Sequence, residues 1–195
     1  MIKAPKLYLK RKDIPIESLY DMLEETGEEQ AAGVYRKGIS EKDPKTRSTT
    51  LKKINRNDYP EVNSILENMT NIWDGTLNPK DYYVGEYNYL KYGKGDHFTK
   101  HIDHIKTGDN SSGRIFSTST IIKMSDDLKG GDFVIWDNVN TPHQISLEVG
   151  ETIFFSSTTP HQINPVIQGE REVLVAWIYK WIDNPYKKWS DINKA

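Results

Sequence analysis

Five histidines occur in this 195-residue chain, and three of them lie within the eight residues HFTKHIDH, 97–104. In an extended strand, side chains at i and i+2 emerge on one face, so His101 and Asp103 project together. His97 and His104 need not join them. An imidazole and a carboxylate on one face supply two ligands of a metal site. A third must come from a distant strand, and His161 in SSTTPHQINPV is available. Two histidines and one acid leave three coordination positions open, which suits ferrous iron that must hold an organic chelator and dioxygen together. The same set would suffice for a hydrolytic zinc. The sequence contains no cysteine, so thiolate sites and disulfides are excluded. His143 has no acid companion at this spacing and reads as structural.

Arg171 opens the last apolar run, REVLVAWIYKW. Period-two alternation puts it on the face of Val173, Val175 and Trp177. A cation among inward-pointing apolar residues is costly to bury unless it meets an anion. The planar guanidinium fork is suited to clamp a carboxylate through two parallel hydrogen bonds. The plainer alternative is an arginine at a strand mouth, paired with Glu170 or Glu172.

These residues need a scaffold that brings 101, 103, 161 and 171 together. Residues 16–29 read as an amphipathic helix, with Ile16, Leu19, Tyr20 and Leu23 on one face. Residues 34–57 carry eight basic side chains against Glu41 and Asp43, punctuated by Ser, Thr, Gly and Pro; this pattern predicts a loop or irregular hairpin, the best candidate for a mobile lid. A second helix is expected over 59–73, with Val62, Ile65, Leu66, Met69 and Trp73 as its stripe. From Asp81 onward, short aromatic and β-branched runs alternate with turn signals near Gly93–Gly95, Gly108–Gly113, Gly130–Gly131, Glu148–Glu151 and Gln168–Gly169. The expectation is a mainly β protein with flanking helices, a sandwich or jelly roll. One domain fits the length: an N-terminal region over 1–80, a β core over 81–182 and a polar tail over 183–195.

The ordered set Y-G…F-T-K-H-I-D…K-G-G-D-F…V-G-E-T-I-F-F…H-Q-I-N-P-V-I-Q-G-E-R…W resembles the prolyl 4-hydroxylase branch of the Fe(II)/2-oxoglutarate dioxygenases, over roughly Tyr83 to Ile182. The resemblance implies a double-stranded β-helix core and oxidative decarboxylation of 2-oxoglutarate to succinate, coupled to C–H hydroxylation. It implies Fe(II) on His101, Asp103 and His161, with ascorbate as an accessory reductant. Arg171 would grip the distal carboxylate of 2-oxoglutarate, and Tyr92 matches the tyrosine that assists that grip. By strict alternation Lys123 shares a face with Ser117, Ser119 and Ile121, which would set Ser119 and Lys123 beside the co-substrate; a bulged strand would turn Lys123 outward instead. Retention of Asp103 fits hydroxylation, since related halogenases replace this carboxylate with a small residue. Phe98 stands where prolyl hydroxylases often carry a tyrosine, and Lys123 precedes Met124 where an aromatic is common. Both departures bear on the substrate more than on the reaction class.

The implied partners are 2-oxoglutarate, dioxygen and a peptide or amino-acid-type substrate, with peptidyl proline first and a lysyl residue or free amino acid as alternatives. A formal net charge of -2 gives no general pull toward nucleic acid or anionic membranes. The N-terminal MIKAPKLYLKRKD lacks a signal-peptide apolar stretch, so a cytoplasmic location is expected. Competing classes are a cupin-like binding module, a zinc hydrolase and an oxidative nucleic-acid repair enzyme. Asp103, His161 and Arg171 together disfavour the first, nothing in the second explains Arg171, and the third rests only on the local basic stretch.

Overall fold

Two α-helices and sixteen strands form the residues described by the computed structural model, which are 6–25, 28–36, 39–104 and 113–181. In chain order they are β1 (Leu9–Arg11), α1 (Ile16–Glu25), β2 (Gln30–Ala31), β3 (Val34–Arg36), β4 (Ile39–Glu41), β5 (Arg47–Ser48), β6 (Thr50–Ile54), α2 (Pro60–Trp73), β7 (Tyr82–Tyr92), β8 (His97–His101), β9 (Arg114–Met124), β10 (Lys129–Gly130), β11 (Phe133–Trp136), β12 (Pro142–Ile145), β13 (Thr152–Ser156), β14 (His161–Ile163), β15 (Val166–Gln168) and β16 (Arg171–Lys180). The larger sheet has the order β1-β13-β9-β16-β7-β6-β2 and the smaller one β12-β11-β14-β8-β5. Every neighbouring pair in both is antiparallel. This is the double-stranded β-helix that the motif order implied.

Alternation along β16 shows how the layers are built. Leu174, Ala176 and Ile178 point to the outer face and pack with Leu19 and Leu23 of α1 and Val62, Leu66 and Met69 of α2. Val173 points inward with Leu90, Tyr92, Ile121 and Phe155, against Phe133, Ile135 and Ile163 of the smaller sheet. A strand buried on both faces therefore separates a helix-covered core from the space between the sheets. Pro60 opens α2 at a position whose missing N–H costs nothing. Among the described residues no helix is long and apolar enough to cross a membrane.

Three expectations change. Of the loop or irregular hairpin expected over 34–57, the described residues show the hairpin and further strands: β3 and β4 form a hairpin, β5 extends the smaller sheet beside β8, and β6 pairs with β7 in the larger one. Thr49, Leu51, Lys52 and Ile54 are buried, so this part of the segment is framework and not a lid. Its basic residues disguised it, because edge strands carry charge on the side that faces water. The described part of the first helix runs to Glu25 and residues 28 and 29 are not helical, whereas a helix to Glu29 was expected; residues 26–27 lie outside the described ones, as do the tail over 183–195 and most of the Gly108–Gly113 turn.

The third is Lys123. β9 pairs Lys123 with Glu172 but Ile121 with Val173, so one extra residue, Ile122, is inserted into the ladder. A bulge of this kind reverses the alternation beyond it. Lys123 therefore lies on the outer, helix-covered face, where its Nζ donates to the Tyr20 hydroxyl at 2.8 Å and stands 4.0 Å from Glu172 Oε1. It is a link between α1 and the sheet, away from the space where a co-substrate could sit.

Glu172 is the centre of that link. It is buried, and Lys91 and Lys123 face it from the two flanking strands. The Tyr89 hydroxyl hydrogen-bonds to Glu172 and lies 2.9 Å from Glu24 of α1; burial and both carboxylates push its pKa far up. Lys52 Nζ donates to the Glu24 carbonyl at 2.7 Å, and Lys91 pairs with the Glu24 carboxylate at 2.8 Å. Tyr89→Phe removes the buried donor and is expected to destabilise the chain by about 1–3 kcal/mol in urea titration, while leaving metal binding unchanged. An unaltered midpoint would show that Glu172 finds another donor.

Candidate active site

β8 and β14 are neighbours in the smaller sheet, and their register sets His101 directly opposite His161. Asp103 follows the end of β8, its N–H donating to the Ser157 carbonyl at 3.0 Å. The result is a three-residue cluster whose ligand atoms all lie within 4.8 Å of one another. Asp103 Oδ1 is 3.6 Å from His101 Nε2 and Oδ2 is 3.5 Å from His161 Nε2. Metal bonds of about 2.0–2.2 Å let one ion bridge such gaps.

The imidazoles are preset for that role. His101 Nδ1 lies 2.7 Å from the Thr99 carbonyl and His161 Nδ1 lies 3.0 Å from the Thr159 carbonyl. A carbonyl only accepts, so each Nδ1 carries the proton and each Nε2 offers its lone pair toward Asp103. Burial pushes the His161 pKa down to about 4, against the pull of Asp103, so this ring is neutral at physiological pH. Burial alone would raise the Asp103 pKa, but the two imidazoles that face it, His161 foremost, outweigh it and hold the carboxyl below its ordinary range. Phe98 stacks on His101 at 3.5 Å between ring centroids, while Phe133 stacks on His161 and Phe155 meets it edge-on. Three aromatic rings thus fix two ligands and keep bulk water from them.

Arg171, at the start of β16, is paired across the ladder with Tyr92 at the end of β7. It is 3% exposed, and its guanidinium lies 5.8 Å from the centroid of the Tyr92 ring. One terminal nitrogen donates to the Gly131 carbonyl, while Nε and Nη2 are buried without a hydrogen-bond partner. Gly131 has φ +67°, and a β-carbon there would press on Arg171 Cδ at 3.2 Å, which is why the Gly-Gly turn can pass so close. Burial pulls the Arg171 pKa down, with Tyr92 and Asp132 opposing it. Ser119 is also buried, faces the cavity, and has an unpartnered hydroxyl. Unsatisfied buried donors of this kind are expensive and need a ligand to complete them. A carboxylate fits.

The triad opens into a cavity of about 850 Å³ between the sheets. Pockets for drug-sized ligands run to roughly 300–1,000 Å³, so the space exceeds what a small chelator needs. Its lining includes two arginines that sequence reading did not place in a site, Arg47 and Arg114. Arg47, on β5 opposite Phe98, lies 4.6 Å over the Phe98 ring and donates to the Gly33 carbonyl at 3.2 Å. Arg114 lies 3.7 Å over Trp177. A second irregularity in β9, where Tyr179 pairs with Arg114 but Ile178 with Phe116, turns Arg114 into the cavity. Both placements depend on partner strands, and no local pattern signals them. His143, outside the site, pairs with Asp137 at 2.9 Å on an exposed hairpin.

Residues 87–179 match the model of the 2OG-Fe(II) oxygenase superfamily, a span that contains the triad and Arg171. The chain is similar to this superfamily over that stretch, just under half of its length. Its members are defined by Fe(II) and 2-oxoglutarate, and the donor set described above, open on one side with an orphaned guanidinium nearby, fits both. The chain is 30% identical over 102 residues to a PKHD-type hydroxylase of Aliarcobacter butzleri (strain RM4018), and 33% identical over 100 residues to one of Prochlorococcus marinus (strain MIT 9301). These stretches cover 50% and 51% of this chain and 45% and 44% of the relatives, so the chain spans about half the length of the curated relatives it matches. Among solved structures, a Pseudomonas putida prolyl-4-hydroxylase superimposes with a TM-score of 0.63 at 16% identity, covering 90% of this chain and 94% of the other. A Trichoplax adhaerens prolyl hydroxylase, solved with a peptide fragment of the hypoxia inducible factor oxygen degradation domain, gives a TM-score of 0.63 at 15% identity over 89% and 84% of the two chains. At such identities the superpositions establish the shared oxygenase fold.

Proposed function

We propose that this chain is a 2-oxoglutarate-dependent hydroxylase acting on a peptidyl residue, with proline as the favoured target. The observation that carries the reading is a three-ligand cluster opening into a cavity that Tyr92 and Ser119 also line, with Arg171 paired to Tyr92 across the ladder and two of its buried guanidinium nitrogens without partners. His101, Asp103 and His161 would hold Fe(II); Arg171, with Tyr92 and Ser119, would hold the distal carboxylate of 2-oxoglutarate. When bound, the pair supplies the oxidant, one oxygen atom of O2 passing to succinate and the other to a substrate C–H bond, with loss of CO2.

The protein's own contribution is positioning and exclusion of water. Arg171 and Tyr92 would hold one end of the co-substrate and so limit its orientation. The Nδ1 atoms of His101 and His161 face backbone carbonyls, which leaves both Nε2 atoms available. Phe98, Phe133 and Phe155 keep the reacting region dry. The cavity volume beyond the co-substrate, and Arg114 lying flat on Trp177 beside it, support a peptide-sized substrate. The peptide carried by the Trichoplax neighbour supports the same size class.

A zinc hydrolase would leave the orphaned donors of Arg171 unexplained. The test is succinate formation from 2-oxoglutarate with Fe(II) and O2, alone and with proline-rich or lysine-containing peptides. We expect slow uncoupled turnover alone and at least about 10-fold stimulation by a proline-containing peptide. Lysine-selective stimulation would reassign the substrate; no succinate under any condition would end the oxygenase reading of this chain.

A further inference from the structure

The far end of the cavity carries charge that neither the metal cluster nor the co-substrate clamp uses. Four cations line the whole space, Arg47, Lys53, Arg56 and Arg114, against one carboxylate, Asp103, among the described residues. The chain as a whole is slightly acidic, with a formal net charge of -2, so this excess is local. Asp103 belongs to the triad, and among the described lining residues no acid accompanies Lys53 and Arg56 at the outer end.

Arg56 follows β6, in a short 3-10 turn (56–58) set by the Asn55 side chain, which accepts from the Asn57 N–H at 3.0 Å. Its guanidinium lies 5.6 Å from the Tyr83 ring centroid, and its Nε is buried without a hydrogen-bond partner. Glu67 is the acid in its field, but Glu67 already accepts from the Val84 N–H at 3.0 Å, and burial raises its pKa, which makes it a weak counterion. The floor between Arg56 and Arg114 is aromatic. Tyr83 stacks on Tyr179, and a β-carbon at Gly85 would overlap the Tyr179 ring, so glycine lets that ring lie flat along the sheet. Trp177, 6% exposed, adds a buried indole N–H with no acceptor. The Nε of Arg56 and the indole N–H of Trp177, both buried without partners, border this floor: the chemistry of an anion site.

Its position defines what reaches it. Arg171 and Tyr92 pair at one end of β16, Trp177 pairs with Ser117, which faces Asp103, and Tyr179 pairs with Tyr83 and Arg114 at the other end. The triad therefore lies between the co-substrate clamp and the Arg56 end. From the level of Trp177 to that of Tyr179 is two residues, roughly 7 Å at about 3.3 Å per residue. An extended peptide covers the same distance in about two residues.

We propose that the substrate is an acidic peptide segment, in which a carboxylate about two residues from the hydroxylated position binds Arg56, with Lys53 and Arg114 adding to the field. This inference rests on the hydroxylase reading for the target residue, and on the cavity's own charge for the acid. The test is calorimetric titration of the full chain, in chelator and without metal, with three heptapeptides. Each has a central proline and, two residues away on both sides, glutamate, glutamine or lysine. The glutamate peptide should bind at least about 10-fold tighter than the glutamine one and the lysine peptide weakest, with the preference shrinking as salt is raised. Arg56→Gln should bring the glutamate and glutamine affinities within about 2-fold of each other, and Arg56→Lys, which keeps the charge, should retain part of the difference; thermal melts of both variants check the fold. Equal affinities, a lysine preference, or no binding of any peptide overturns the assignment. Succinate assays with the same peptides separate the two readings. Charge-selective binding without peptide-stimulated succinate sinks the hydroxylase and leaves the acidic site, whereas equal stimulation by all three peptides does the reverse.

Discussion

Asp103→Ala is expected to lose Fe(II) uptake and 2-oxoglutarate-dependent turnover together, with metal affinity falling by at least about 100-fold. Even residues that only orient metal ligands commonly cost 10–100-fold when replaced, and Asp103 supplies the only carboxylate of the cluster. Its two oxygens face the two imidazoles, so no neighbouring acid among the described lining residues can take over. The fold should survive, because the side chain faces the cavity while its backbone N–H, bonded to Ser157, is unchanged. The decisive measurement is the thermal shift on adding Fe(II), present in the parent chain and absent in the variant, read beside succinate production. Normal product formation by Asp103→Ala would remove it from the ligand set.

Arg171→Met separates binding from folding. If the guanidinium holds the distal carboxylate, its loss should raise the KM for 2-oxoglutarate by roughly 10²–10³-fold, the effect of truncating one partner of a buried charge pair by about 3–4 kcal/mol. Metal affinity should stay within a few fold, since Arg171 is on the opposite sheet from the histidines. The stability of the chain without co-substrate should be equal or higher. Arg171 is 3% exposed with two unpartnered nitrogens, and exchanging a poorly satisfied buried cation for an apolar side chain is often neutral or stabilising by about 1–4 kcal/mol. Arg171→Lys keeps the charge but not the fork and should fall between the two. A large loss of stability with an unchanged KM would make Arg171 a structural residue.

The two predictions share one feature of the fold. The residues that would hold the metal come from the smaller sheet, and the residue that would hold the co-substrate comes from the larger one. Neither sheet alone carries a site. Packing the two face to face, with aromatic rings from both, creates the dry space in which an ion, a carboxylate and an unpaired guanidinium acquire their strength.

Much of this was legible along the chain because the information is local. His101 and Asp103 share a face by the two-residue repeat of extended backbone, and the same repeat aligns Arg171 with Val173 and Trp177. The stripe Val62, Leu66, Met69 announces α2, and the order of the motifs announced the oxygenase core. What only the tertiary structure decided depends on hydrogen bonds to partner strands. The inserted residue at Ile122 turned Lys123 away from the cavity, and the irregularity opposite Ile178 and Tyr179 turned Arg114 into it. Within residues 34–57, whose composition suggested a loop or irregular hairpin, β5 and β6 became sheet strands because β8 and β7 offered open edges to them. A chain specifies which side of a regular strand each residue takes; where the strand is interrupted, and which neighbour covers it, is set by residues far away along the chain.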